Sequence, residues 1–408
     1  MNILWIVDVE MPDVAGYFNR KNVHAGWLEI MAKQLAEDEN ISIFIAGVAP
    51  ETYDKILING IMYYGFSGAG SKKYFVDLIH LIRPDIIHVW GTEYAHIKNL
   101  RYAVRYTGLF DKTIVSIQGI VSEYWKHYND GIPIKVSKKR IRIGRIKTAS
   151  LWQEAIEMKK RGRLERDFLK SAKHCIGRTE WDKKSVYSIN PHVNYYYCSE
   201  TLREDFYSGS WSYDTCEKHT IFFSQTHYPI KGLHQMLKAL AGIKKVIPDV
   251  HLNVLGFKPL SPESIRLKSY DDYLDKLISD NDLEDNISWL GILSSKQMKE
   301  QYLKANVFVC ASSIENSSNS VGEAMLLGVP VIASDRGGMR SIIEDGKDGV
   351  LYDFDSPEKM AEAVLKVFTD NNYFVSLSES AEKSAKEKYN REKNYNQLIS
   401  IYENISFN

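Results

Sequence analysis

The sequence predicts an α/β protein made of two Rossmann-like domains, each built on a parallel sheet. Short apolar runs alternate with longer amphipathic segments from one end of the chain to the other. At 408 residues the chain is too long for one hydrophobic core of usual size. The alternation breaks once, in the polar and aromatic stretch 204–218, which has no periodicity and marks the domain boundary.

In the first half the strand candidates are Ile3–Val7, Ile41–Ala46, Ile86–Trp90 and Thr113–Ile117, then His174–Gly177 and Tyr195–Cys198. Helical spacing of apolar residues fits Trp27–Glu37, Lys72–Ile82 and Leu151–Ser171. The second half repeats the theme with strands at Thr220–Ser224, His251–Gly256, Ile287–Leu290, Val307–Ala311 and Pro330–Ser334. The expected organisation is a first domain over 1–205, a second over 206–385, and a final helix over 386–408. Ligands of open α/β sheets bind outside the carboxyl ends of the strands. Two such edges facing an interdomain cleft would hold two different substrates.

Composition narrows the function classes. Net charge is zero, which argues against a general nucleic-acid binder. The zero hides an asymmetry, with 29 Lys and Arg against 22 Asp and Glu in residues 1–200 and the reverse excess beyond. The basic excess concentrates at Lys135, Lys138, Lys139, Arg140, Arg142, Arg145 and Lys147. No run approaches the roughly 20 apolar residues of a membrane span, and no signal peptide is read at the N-terminus. The four cysteines lack metal-ligand spacing and read as buried thiols of a reducing compartment. A cytoplasmic protein, soluble or held at the inner membrane face, is the expectation.

The most informative segment is SSIENSSNSVGEAMLLGVPVIASDRGG, residues 312–338. A buried strand at Val307–Ala311 runs into a small polar loop, and Val321–Leu327 reads as a helix stopped by Gly328 and Pro330. Ser318, Asn319 and Ser320 then lie at a helix N-terminus, where free N–H groups and the dipole favour a phosphate. Glu315 and Glu323 flank this loop. Glu323, one turn inside the helix, is placed for a ribose, and Glu315 for a sugar beyond the phosphates.

Glu315 and Glu323 resemble the E-x7-E motif of glycosyltransferase family 4, and EAMLLGVPVIASDRGG is similar to that family's continuation. The resemblance implies a GT-B fold and a retaining glycosyltransferase that uses a nucleotide sugar and no metal or other cofactor, with a UDP-sugar first among the donors. Lys231, before Gly232 in the loop after Thr220–Ser224, matches a family Lys that holds the diphosphate. The family's Arg falls at Gln225 or Thr226 and is absent, leaving Arg178 of GRTEWD as a candidate cation or a plain surface arginine. Gly26, after Ala25, is half of the family's Gly-Gly pair near the donor phosphates. Gly256 and Gly291 fall where the family's backbone contacts the base.

The acceptor implied is a glycan or a polyprenyl-linked glycan of cell-surface polysaccharide or glycoconjugate synthesis, held on the first domain. Gln118 stands where relatives often have a His beside the reacting centre, with Glu123, Tyr124 and His127 as alternatives nearby. The basic run 135–147 alternates with isoleucines and suits an anionic membrane surface, a solvated loop being the plainer reading. His88 and Trp90 read equally as core residues or as cleft-facing ones.

Other chemistries find less support. There is no G-x-G-x-x-G directly after a strand and no G-x-x-x-x-G-K-[ST] loop. Asp353-Phe354-Asp355 could bind a divalent cation, but Ser356 and Pro357 follow it and the triplet reads as a helix cap. Within the same fold, a nucleotide-sugar epimerase, a phosphorylase and a non-catalytic nucleotide-sugar binder stay open.

Overall fold

The computed structural model describes residues 1–20, 26–143, 146–225, 228–262 and 268–407. The chain divides into two units. The first comprises Met1–Ser122, Lys159–Arg203 and Tyr389–Asn408, the second Glu123–Met158 and Glu204–Lys388.

The first unit holds β1 (Asn2–Val7), β2 (Ser42–Val48), β3 (Tyr53–Ile58), β4 (Ile61–Phe66), β5 (Ile86–Trp90) and β6 (Thr113–Ser116). Two-residue strands β7 (Arg142–Ile143) and β8 (Ile146–Lys147) pair with each other in the second unit. The first sheet then continues with β9 (His174–Gly177) and β10 (Asn194–Tyr197). Its order is β10-β9-β6-β5-β1-β2-β4-β3. All pairs are parallel except β3 with β4.

That antiparallel hairpin is absent from the sequence reading. Its turn is Asn59-Gly60, both at positive φ (51° and 78°), the backbone a type I′ hairpin demands. Alternate residues of the central strands feed two cores. Leu4, Ile6, Ile87 and Val89 pack to one side, and Ile3, Trp5, Val7 and Trp90 to the other. The helix Arg391–Ser406 covers the second face with Leu398, Ile401, Tyr402 and Ile405.

The second unit carries β11 (Thr220–Phe223), β12 (His251–Val254), β13 (Ile287–Trp289), β14 (Val307–Cys310), β15 (Val331–Ser334) and β16 (Val350–Tyr352). The order is β13-β12-β11-β14-β15-β16, parallel throughout. The chain runs outward from β11 to β13 and then returns to the other side of β11. The topological switch point therefore lies between β11 and β14, where doubly wound folds bind ligands.

The segment 123–158, assigned from chain order to the first domain, packs with the second unit. His234 in the helix Leu233–Lys244 is fully buried, with its ring nitrogens on Tyr270 Oη (3.0 Å) and the Asp130 carbonyl (3.0 Å). Burial lowers the His234 pKa to about 3. Lys139 adds an ion pair to Asp272 at 3.1 Å.

Candidate functional site

The Lys231 loop and the Glu315 loop follow β11 and β14, the two strands at the switch point. A 3-10 turn, Pro229–Lys231, ends at Gly232, which has φ 75° and starts the helix Leu233–Lys244. A β-carbon on Gly232 would stand 1.8 Å from the Ala311 carbonyl oxygen. Only glycine lets this turn press on the end of β14. The Ser313 amide then donates to the Ile230 carbonyl at 2.7 Å.

This approach brings Lys231 and Glu315 together as an ion pair. Ser312 Oγ donates to the same carboxylate oxygen at 2.9 Å. Burial pushes the Lys231 pKa down, but the Glu315 carboxylate outweighs it and the net shift is upward. The Glu315 backbone is fixed from behind. The Gly338 amide donates to its carbonyl at 2.8 Å, and a β-carbon on Gly337 (φ 65°) would lie 2.0 Å from that oxygen. The glycines of DRGG thus have a mechanical task that their place in the motif alone did not disclose.

Beyond Glu315 the chain enters the helix Asn319–Leu326, two residues earlier than its apolar period suggests. Asn319 and Ser320 are therefore first-turn residues and Ser318 is the N-cap. The Ser318 side chain does not cap this helix; its Oγ lies 3.0 Å from Ser320 Oγ. An N-terminus left uncapped by its own side chain keeps first-turn N–H groups for an anion. Tyr302 Oη anchors this turn through the Ser320 carbonyl at 3.0 Å. Glu323 is buried in the helix interior, 3% exposed.

Two further predicted positions sit on the same sheet edge. Gly256 follows β12 at φ 126°, and its carbonyl accepts from the Gly291 amide at 2.9 Å. Gln225 follows β11 and is exposed. Thr226, the other position considered for the missing arginine, lies outside the described residues.

His127 joins this site, although it precedes it by nearly two hundred residues. Its carbonyl accepts from Ser313 Oγ at 2.8 Å, so Ser313 holds the Lys231 turn by its amide and His127 by its side chain. Asp130 Oδ2 lies 2.7 Å from His127 Nδ1, an orienting contact that leaves Nε2 for another partner. No spacing in the sequence links residues 127 and 313.

Gly26, Gln118 and Arg178 belong to the first unit. Gly26 opens the helix Gly26–Ala36, and a β-carbon there would meet Arg203 Cδ at 3.3 Å. Arg178 is not the surface arginine that one reading allowed: it is 4% exposed. Its Nη1 lies 2.5 Å from Glu200 Oε2, and Nη2 donates to the Gln118 carbonyl at 3.0 Å. Its local frame comes from GRTEWD. Thr179 caps the helix Glu180–Ile189, and Asp182 Oδ2 accepts from the Arg178 amide at 2.9 Å. A guanidinium committed to these partners differs from the free phosphate-binding cation considered from sequence.

His88 resolves as a core residue. It is fully buried, its Nδ1 lies 2.5 Å from Tyr402 Oη and its Nε2 2.7 Å from Ser116 Oγ. Asp353 and Asp355 face Arg336, at 3.7 and 2.5 Å. Ser356 takes the N-cap position before Pro357, without a side-chain cap bond. Among the described residues no group of three His, Cys, Asp or Glu could hold a metal ion, and no helix is long and apolar enough to cross a membrane. In the basic run, Lys135, Lys138, Lys139 and Arg140 are exposed. Gly144 and Arg145 lie outside the described residues.

Known proteins share this architecture. Sucrose-phosphate synthase (tll1590) from Thermosynechococcus elongatus matches with a TM-score of 0.74 at 14% identity, covering 99% of both chains. Anabaena Alr3699/HepE, solved in complex with UDP-glucose, matches at 0.70 and 14%, covering 99% of this chain and 100% of that one. In sequence, the spore coat protein SA of Bacillus subtilis (strain 168) is 29% identical over 176 residues, 43% of this chain and 46% of that protein. D-inositol 3-phosphate glycosyltransferase of Corynebacterium urealyticum is 25% identical over 176 residues, 43% of this chain and 41% of that protein. The chain thus spans about half the length of the two relatives that it matches in sequence. The fold is that of the GT-B glycosyltransferases, and residues 215–391 match the family model of glycosyl transferases group 1.

Proposed function

We propose that the protein is a retaining, metal-independent glycosyltransferase that moves a hexose from a nucleotide sugar to a hydroxyl of a glycan or polyprenyl-linked glycan. One observation carries this reading. The Lys231–Glu315 pair stands beside a helix N-terminus that its own N-cap side chain does not cap, at the switch point of the second unit's sheet. A diphosphate suits Lys231 and the first-turn amides of Asn319 and Ser320. Glu315 then turns from Lys231 to the hydroxyls of the transferred sugar, and Glu323 takes the ribose. His127, oriented by Asp130, supplies a further donor to the diphosphate where the relatives' arginine is missing.

In the transfer, the bond from the anomeric carbon to the diphosphate oxygen breaks as the acceptor oxygen bonds that carbon on the same face. The acceptor's proton goes to the leaving diphosphate, so no protein nucleophile is needed. Lys231, the helix amides and His127 stabilise the charge that develops on the leaving group. Solved structural neighbours in complex with UDP and UDP-glucose support a UDP-sugar as the first donor to try. A place in cell-surface glycoconjugate synthesis, on the cytoplasmic side of a membrane reached through 135–147, fits this reading.

The test is a thermal-shift panel of UDP-, GDP-, ADP- and TDP-sugars on the wild type and Glu323→Ala. One nucleotide should raise the midpoint, and the variant should weaken that shift. Release of nucleoside diphosphate from the selected donor should persist in EDTA. A flat panel, or release lost in EDTA and restored by manganese, contradicts the proposal.

A further inference from the structure

The helix His96–Tyr106 of the first unit packs Ile97, Leu100, Ala103 and Val104 into the core. Its outward positions recur every three or four residues and hold Lys98, Arg101, Tyr102, Arg105 and Tyr106. With roughly 3.6 residues per turn, the three cations form one stripe and the two tyrosines the stripe beside it. No aspartate or glutamate occurs in this helix. Lys72, at the start of the neighbouring helix Lys72–Ile82, brings its Nζ 4.4 Å from the Tyr102 ring centroid and adds a fourth positive charge.

These charges lack counter-charges. Among the described residues none of the four forms an ion pair, while nearby carboxylates are held by other lysines, Asp77 by Lys73 at 2.7 Å and Asp111 by Lys173 at 2.6 Å. Arg101 is half-buried, and its Nε is closed to solvent without a hydrogen bond. Burial and then the Arg105 charge push the Arg101 pKa down, with Asp167 opposing them. Such a guanidinium gains more from an added anion than a fully solvated one does. Tyr102 and Tyr106 are 45% and 66% exposed. Their rings lie 5.9 Å apart with planes 13° from parallel.

The two stripes specify different parts of one partner. The cations call for repeated negative charge, and the tyrosines for rings repeated along the same line. A polymer of acidic pyranoses offers both in each unit, a carboxylate for a guanidinium fork and an apolar ring face for a tyrosine. A polyanion without rings leaves the tyrosines idle, and a neutral glycan leaves the cations unpaired. A lipid surface fits less well, because this helix face has no exposed aliphatic or tryptophan side chain to insert. Ile134 and Trp152, 71% and 50% exposed beside the basic run 135–147, are side chains of that kind.

We infer that this helix face docks an acidic polysaccharide, with its uronate groups on Lys98, Arg101 and Arg105 and its rings against Tyr102 and Tyr106. The binding stands apart from the glycosyl-transfer reading; that the chain is the acceptor or product of this protein rests on it.

Titration calorimetry of the full chain with hexagalacturonate at low salt tests the inference. The comparisons are the methyl ester of the same hexamer, poly(glycerol phosphate), a single-stranded oligonucleotide, and vesicles of phosphatidylglycerol and phosphatidylcholine. The hexamer should bind in roughly the 10–100 μM range and weaken about tenfold between about 0.05 and about 0.5 M salt. Arg101→Gln with Arg105→Gln should weaken it about tenfold, and Tyr102→Ser with Tyr106→Ser about fivefold. Both double variants should keep the wild-type thermal shift with nucleotide. An ester bound as tightly as the acid, tighter binding of any other comparison, no hexamer binding, or wild-type affinity in either double variant overturns the inference. A nucleotide shift without hexamer binding defeats this surface alone. Hexamer binding with a flat nucleotide panel defeats the donor site and leaves a glycan-docking protein.

Discussion

Lys231 illustrates how a single ion pair can serve both an empty and an occupied site. A half-buried ammonium without a partner is disfavoured, and Glu315 supplies that partner here. A diphosphate offers more charge, so donor binding should exchange one anion for another and release Glu315 toward the sugar. Replacing Glu315 by Gln removes the competing anion. The variant should bind free nucleoside diphosphate roughly three- to tenfold tighter while donor turnover falls about 100-fold. Titration calorimetry and nucleotide release measure the two effects, and weaker binding in this variant would refute the exchange. Glu315, Glu323 and Lys231 were legible because each is a charged residue in a recognisable frame. Ser313 was not, and His127 was named only as an alternative on the acceptor side, because the bond joining the two ends on a backbone carbonyl, which carries no side-chain signature.

The donor loop owes its shape to neighbours joined at glycines. Gly232 lets the turn after β11 reach β14, and Gly337 lets the turn after β15 reach Glu315. A methyl group at Gly232 meets both an unfavourable φ and a carbonyl oxygen. Gly232→Ala should therefore cost about 1–3 kcal/mol or more in denaturant unfolding and abolish the nucleotide-induced thermal shift. Wild-type stability in that variant would show that the turn moves freely. Strand and helix positions were readable because buried parallel strands form continuous apolar runs. The β3–β4 hairpin was missed although Asn59-Gly60 is a strong hairpin dipeptide, since the flanking residues alternate only weakly. Segment 123–158 was placed by chain order, and nothing periodic in it announces that His234 and Ser313 hold it in the other unit.

Across the whole molecule, buried ionisable groups set an uneven response to pH. Burial lowers His88 and His234 to about 3 and His96 to about 4, against an ordinary 6.5. These imidazoles bind fewer protons folded than unfolded, so their contribution is lost as pH falls below 6.5. Burial raises Glu165 to about 7, and burial with the nearby Glu93 charge raises Asp8 to about 7. Such carboxyls bind more protons when folded. Their contribution is complete below their ordinary 4.5 and 3.8 and is lost as pH rises through about 7. The first unit, which holds all of these except His234, should lose stability on both sides of its optimum. The second should follow His234 and weaken on the acid side. Each group changes stability by about 1.4 kcal/mol per pH unit while its window is crossed. Hydrogen exchange read peptide by peptide from pH 5 to 8 measures this. The combined variant Asp8→Asn with Glu165→Gln should flatten the alkaline limb of the first unit, and an unchanged limb would count against this account.

The helix Arg391–Ser406 carries a consequence for the order in which the molecule is made. Tyr402 Oη accepts from Trp5 Nε1 at 3.0 Å and meets His88 Nδ1, contacts that join residues 397 and 314 positions apart. Closing such long loops is entropically slow, and a polypeptide emerges from its amino end. Trp5 and His88 must wait, uncovered on that face, until residue 402 has been translated. By then every residue of the second unit has already been synthesised. The unit begun first is the one completed last, and during that interval the nascent chain depends on chaperones or on speed to keep an apolar sheet face from aggregating.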